Sequence, residues 1–108
     1  MKENARFVVL GLGTFGTALA SRLSANGRRV TGVDSNARHV EALRDQLYEA
    51  IVADVTDRNA LKELLLPNAE AVIISLGEQI ELSILTALHA KELGARHVYC
   101  KEIGRAHV

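Results

Sequence analysis

Short apolar runs recur along the chain, and between them apolar residues return at three- and four-residue intervals. The first run, Arg6–Leu10, predicts a strand. Thr14–Asn26 predicts a helix with Phe15, Ala18, Leu19 and Leu23 on one face and Gly27 as its stop. Arg29–Val33 reads as the second strand, after which Ser35 or Asn36 caps a helix burying Val40, Leu43 and Leu47. Glu49–Ala53 is a short third strand. Asp57 then caps a helix carrying Leu61, Leu64 and Leu65, which ends before Pro67. Ala71–Ser75 is a continuous apolar run of the kind buried on both faces of a parallel sheet. A longer helix follows over Ile80–Leu93, stopped by Gly94, and His97–Lys101 makes a fifth strand.

Strands alternating with helices in this way imply an α/β domain with right-handed crossovers. The expected architecture is a Rossmann-like doubly wound parallel sheet in the strand order 3-2-1-4-5. It forms a single domain over residues 1–108, and the pattern lacks the sixth strand of a full dinucleotide fold. Glu102–Val108 read as the opening of something further, as in a domain excised from a longer chain; a naturally short subunit is the alternative.

The turn after the first strand carries the candidate chemistry. It reads Gly11-x-Gly13-x-x-Gly16, and the second strand ends at Asp34. That pairing is the fingerprint of a dinucleotide-binding βαβ unit. Gly11 permits the sharp turn, Gly13 leaves room for a pyrophosphate, and Gly16 lets the helix approach the strand. The helix N-terminus offers unpaired N–H groups and a positive dipole end to phosphates. Asp34 is placed to accept from ribose hydroxyls, and a carboxylate there disfavours a 2′-phosphate. Asp34 also reads as a helix-capping acid beside Ser35.

Composition narrows the partners. Thirteen acidic and thirteen basic residues cancel, so no bulk field points to nucleic acid or an anionic membrane. The apolar stretch from Ala71 to Leu76 is far too short to cross a bilayer, and the N-terminus has no signal-peptide pattern. Membrane insertion is therefore not expected. Cys100 is the single cysteine, which fits a reducing cytoplasm and, within an apolar strand, a small packed residue. The four histidines show no metal-ligand spacing.

Taken together, the chain resembles the RCK/KTN domain, also called TrkA-N. The resemblance is carried by Val9-Leu-Gly-Leu-Gly-Thr-Phe-Gly16, Gly32-Val-Asp34, Ala53-Asp-Val-Thr-Asp57, Val72-Ile-Ile-Ser-Leu-Gly77, the segment at 81–85, and Lys91-Glu-Leu-Gly94 followed by Lys101. It implies a cytoplasmic regulator of a membrane potassium transporter or channel, binding NAD(H) or ADP/ATP. It further implies homodimers or ring-like assemblies, held at the inner face of the membrane by the transporter partner. By this resemblance the nucleotide-contacting set is Gly11, Gly13, Thr14, Phe15, Gly16, Asp34, Ser35, Asp54, Val55, Ser75, Leu76, Gly77 and Lys101. Asp54 falls beside the adenine, Ser75 to Gly77 line the cleft, and Lys101 lies near the terminal phosphate. Several nucleotide-sensing members carry arginine where this chain has Thr14, so a distal phosphate loses a charge-assisted bond here.

Other readings stand beside these. Asp57 is most simply an N-cap, while Asp54 reads equally as a loop acid. Glu78 and Glu81 suit the dipole of the fourth helix, and Lys101 also reads as a solvated strand end. That helix carries Ile80, Leu82, Ile84, Leu85, Leu88 and Leu93 around well over half its circumference, more than one sheet face needs. The surplus points to self-association. No enzyme is expected: Tyr48 and Tyr99 lack a lysine four residues on, and there is no GxxxxGK[ST] loop. The alternatives are the cofactor half of an NAD-dependent oxidoreductase and the cytosolic tail of a cation:proton antiporter.

Overall fold

The computed structural model describes residues 5–102 and 105–107. β-Branched and leucine residues without an interrupting polar group make β1 (Arg6–Leu10), whose Val8, Val9 and Leu10 are fully buried. The chain continues through α1 (Thr14–Ala25), β2 (Arg29–Asp34), α2 (Ala37–Leu43) and β3 (Glu49–Val52). It then passes through α3 (Arg58–Lys62), a 3-10 turn at Leu66–Asn68, β4 (Ala71–Ile74), α4 (Ile80–Glu92), β5 (Val98–Glu102) and β6 (Arg105–His107). The sheet order is β3-β2-β1-β4-β5-β6. The first five strands are parallel, in the expected 3-2-1-4-5 order, and β1 lies at the centre between β2 and β4.

The sheet separates two apolar layers. On one side, Val8, Leu10, Val33, Val72 and Ile74 pack with Leu61, Leu64, Leu66 and Ala90 from the α3 and α4 side. On the other, Val9 and Val30 pack with Leu12, Ala20, Val40, Leu43 and Leu47. Alternate residues of one strand face opposite layers, so β1 contributes to both.

Several details correct the sequence expectations. A sixth strand is present: β6 returns antiparallel to β5, a hairpin rather than the crossover strand of a full dinucleotide fold. Within Glu102–Val108, Ile103, Gly104 and Val108 lie outside the described residues. On α1, Phe15 and Ala18 face solvent, and Gly16 and Ala20 are the buried positions. Gly16 and Ala20 bring the helix close, and Leu19 and Leu23 pack beside them on the core as expected. Leu47 is buried but lies beyond α2, its N–H bonded to the Leu43 carbonyl at 3.1 Å.

Leu65 departs furthest. It does not share the buried face of α3 but is 61% exposed, with φ 54° and ψ 55° in the left-handed region. The Arg6 guanidinium holds this turn, donating from Nη2 to the Leu64 carbonyl at 2.7 Å and from Nη1 to that of Leu65 at 3.3 Å. A non-glycine residue in that conformation costs about 1–2 kcal/mol. Leu65→Gly is therefore expected to raise the unfolding free energy by about 1 kcal/mol in urea titration. A loss of stability would show that the leucine side chain makes packing that outweighs its backbone strain.

Candidate nucleotide site

The site lies at the C-terminal edge of the strands, where the chain leaves β1 for α1. Gly11 turns the chain with φ +104°, and a side chain there would run into the Ser75 carbonyl of the loop after β4. A side chain at Gly16 would strike the Gly11 carbonyl, so α1 sits against the turn only because position 16 has no Cβ. Gly13 is different: its φ of −76° suits any residue, and a Cβ there would meet no protein atom within 4 Å. The fold makes no demand for glycine at 13. A bound group in that space would.

Gly13 is also the N-cap of α1. It supplies no side-chain acceptor, and the first turn contains no acid. The amides of that turn have no intrahelical acceptor, and they point toward the cleft with the positive end of the helix dipole. A cavity of about 300 Å³ adjoins them, lined by Gly13, Thr14, Phe15, Ser75, Gly77, Glu78 and Lys101. Lys101 places its ammonium over the Phe15 ring, 5.4 Å from the centroid. The exposure of Phe15, unexpected for a helix core face, thus provides a platform for a cation at the mouth of the cavity.

Asp34 ends β2 on the other side of the glycine loop. Its Oδ2 accepts from the Leu12 N–H at 2.6 Å, and its Oδ1 from the Asn36 N–H at 2.8 Å. His39 Nδ1 lies 3.3 Å from Oδ2. Burial pushes this carboxyl up, but the Asn36 and Leu12 amides, followed by His39, outweigh burial and hold it below the ordinary carboxylate value. Asp34 is thereby kept ionised as an acceptor. The helix cap is Asn36, whose Oδ1 accepts from the Arg38 N–H at 2.9 Å, while Ser35 is exposed beside it.

The remaining candidates divide. Ser75 is buried, its N–H bonded to the Leu10 carbonyl at 2.8 Å, and Leu76 packs against the core beneath the cleft. Gly77 is exposed with φ +65°. Asp54, after β3, folds back on Thr56: Oδ1 accepts from its hydroxyl at 2.6 Å and its N–H at 2.9 Å. Those two bonds hold the Asp54 carboxyl below its ordinary value against a small opposing effect of burial. Val55 is packed into the core with Leu61 and Val33, so its side chain does not face the cleft. Asp57 caps α3, accepting from the Asn59 N–H at 2.9 Å.

Two residues near the site escaped sequence reasoning. Glu78 lines the cavity beside the α1 N-terminus rather than only serving the α4 dipole. His39, in the first turn of α2, contacts Asp34 at the end of β2, a meeting that depends on how α2 leaves the strand. Elsewhere, Cys100 is half-buried with its sulfur 4.0 Å from the Ser83 carbonyl. Among the described residues no cluster of His, Cys, Asp or Glu is arranged to hold a metal ion. No helix among them is long and apolar enough to cross a membrane.

A parallel sheet that opens its C-terminal edge onto an uncapped helix, beside an ionised strand-end carboxylate, is the architecture of a nucleotide-binding α/β domain. More narrowly, the chain belongs to the TrkA-N domain family, which it matches over residues 7–107. It is 36% identical over 99 residues to the Ktr system potassium uptake protein A of Bacillus subtilis strain 168, covering 92% of this chain and 45% of that protein. It is 39% identical over 95 residues to protein C of the same system, covering 88% and 43% respectively. The chain thus spans about half the length of these relatives. Among solved structures, the NAD(P)-binding domain of an exopolyphosphatase-related protein from Archaeoglobus fulgidus matches with a TM-score of 0.73 at 28% identity. That match covers 89% of this chain and 70% of the archaeal one.

The open space at position 13 separates binding from folding. Gly13→Val is expected to abolish adenosine-nucleotide binding while leaving the thermal transition within a few degrees of the parent. Asp34→Ala is expected to weaken the same ligands by about 1–3 kcal/mol in calorimetry, the scale of lost charged hydrogen bonds. Normal affinity in the valine variant would contradict the loop assignment, and unchanged affinity in the alanine variant would remove Asp34 from the site.

Proposed function

We propose that this domain is the nucleotide-sensing part of a cytoplasmic regulator that gates a potassium transporter or channel. The observation that carries the reading is the unfilled space over Gly13, facing an uncapped helix end and set between Asp34 and the Lys101 cavity. Membership of the TrkA-N family, and relatives named as potassium uptake proteins, supply the potassium system. The ligand is NAD(H) or ADP/ATP. Its phosphates lie on the α1 amides, its ribose on Asp34, and its adenine toward the loop holding Asp54.

The chemistry of the distal cavity bears on which nucleotide is preferred. Thr14 contributes a hydroxyl and no charge, Lys101 one positive charge, and Glu78 one negative charge. A terminal γ-phosphate gains less there than in a site lined by two cations. That balance favours ADP or NAD(H) over ATP. At the ribose, three acceptor directions of Asp34 are already used, and His39 has the longest of the three contacts. Its side chain is 45% exposed, so it is the partner a ribose hydroxyl displaces.

Gating requires a second body whose arrangement the nucleotide biases, because a ligand with equal affinity for two arrangements shifts neither. α4 supplies the surface. Ile80, Ile84 and Leu88 form an i, i+4 ridge with Leu85 beside it and Leu82 farther round the helix, all between 38 and 61% exposed. The inward face is made instead of Ser83, Thr86 and Ala90. A two-fold pairing of α4 ridges in a homodimer or ring covers this apolar surface and places the paired helices directly after the Gly77–Glu78 rim of the nucleotide cavity.

The test is calorimetric titration of ATP, ADP, AMP, NAD⁺, NADH and NADPH. Binding of ADP or NAD(H) without turnover is the expected result. Failure of every nucleotide to bind would overturn the sensor reading, and selective binding of NADPH would favour an oxidoreductase cofactor half. Separately, Leu82→Glu or Leu88→Glu is expected to move the protein toward monomer in sedimentation. An unchanged sedimentation coefficient would show that the α4 ridge serves another contact.

A further inference from the structure

The opposite edge of the sheet, where the strands begin, carries a second cavity of about 370 Å³. Arg6, Arg29 and Arg96 line it together with Tyr48, Asn68 and Glu70. In a chain with no net charge, three guanidinium groups here meet one carboxylate.

Two of the arginines are held close together by the ladder. Arg6 and Arg29 are register partners on adjacent parallel strands, so their side chains leave the same face about 4.8 Å apart at the backbone. Like charges at that spacing repel unless something compensates them. Arg6 bonds directly to neutral groups, the carbonyls of Leu64 and Leu65 and Thr31 Oγ1, and the Thr31 hydroxyl donates in turn to the Glu49 carboxylate at 2.9 Å. Arg29 lies on the Tyr48 ring, 5.0 Å from its centroid. The ion pairs among the described residues are His39–Asp34, Arg44–Glu41 and Arg58–Glu92, so Glu70 neutralises none of the three arginines.

Arginines at this edge of a doubly wound sheet often serve the carbonyl ends of helices and turns, and Arg6 does so. Arg29 and Arg96 do not: among the described residues their guanidinium groups donate to no carbonyl or carboxylate. What remains is a concave, cationic space in which bonds fix one fork and an aromatic ring seats another. Guanidinium forks match the oxygen spacing of phosphate, and the volume lies in the range of small-ligand pockets.

We propose that this cavity is a second anion site, taking a compact phosphate-type polyanion, with Arg29 and Arg96 as its principal ligands and Arg6 as a fixed third cation. It is separate from the nucleotide cleft, which lies at the other end of the same strands. An extended acidic peptide would need a longer cationic track than this concave patch provides.

Inorganic pyrophosphate is the probe, titrated by calorimetry and amide NMR into the Gly13→Val protein so that the glycine loop does not compete. The expected result is saturable binding with amide shifts centred on Ala5, Glu70 and Arg96. Arg29→Gln and Arg96→Gln are each expected to weaken it about tenfold, as for loss of a charged hydrogen bond. Both residues are exposed, so the variants are expected to fold, which circular dichroism checks. Absence of saturable binding, affinity indifferent to both substitutions, or shifts centred on Thr14 and Gly16 would each overturn the proposal. So would an oligoglutamate peptide binding as tightly as pyrophosphate.

Discussion

The hydrogen bond from the Leu12 amide to Asp34 Oδ2, at 2.6 Å, ties the glycine loop to the end of β2. Beside it the Gly11 amide bonds the Val33 carbonyl at 2.8 Å, so the loop continues the β1–β2 ladder one step past the last strand residue. These two bonds set where α1 begins and which way its first amides face. Leu12 then drops its side chain into the layer with Val30, Val40 and Leu43, anchoring the loop from below. The carboxylate of the proposed ribose contact therefore also builds the loop of the proposed phosphate contact. Keeping Asp34 ionised is a structural requirement before it is a binding one.

Parallel strands give the domain two chemically different edges. At their C-terminal edge the helices begin, so amides and positive dipole ends gather there, and the acids Asp34, Asp54 and Asp57 are held by backbone N–H groups. At their N-terminal edge the helices end. Carbonyls gather there, and Arg6 satisfies two of them while tethering the turn at Leu65. One side chain at the start of the central strand thus fixes a strained turn nearly sixty positions away.

How legible this was follows from what each feature depends on. The glycine loop and Asp34 are readable because each meets a requirement of backbone geometry at a short, fixed separation. The strand order followed from alternation alone, since right-handed crossovers leave few ways to stack five parallel strands. The antiparallel β6 was not legible, because a three-residue strand carries too little pattern to distinguish it from a loop. The α1 face was half legible: Leu19 and Leu23 pack on the core as expected, whereas Phe15 and Ala18 face solvent because close approach to the sheet selects Gly16 and Ala20. Leu65 fitted a helical spacing, yet its backbone answers to Arg6. Val55 sat in a motif matched as a whole, and only packing separates its buried side chain from the cleft-facing ones.

α4 shows the limit of periodicity most clearly. Its apolar residues surround more than half the helix, and that count says how much surface needs cover without saying which side the sheet takes. The sheet takes the small side: Ser83, Thr86 and Ala90 turn inward, although Ser83 Oγ and Thr86 Oγ1 are buried there without hydrogen-bond partners. Burying a hydroxyl unpaired costs about 1–3 kcal/mol, while each large aliphatic left outside forgoes a comparable gain. An isolated domain would do better with the helix turned over. The small face is what lets α4 lie close to β4 and β5, and the proposed pairing would make the outer ridge an interior as well. In the proposed pairing the orientation is set by two packings at once, and a change at the cleft rim that rotates α4 would disturb both.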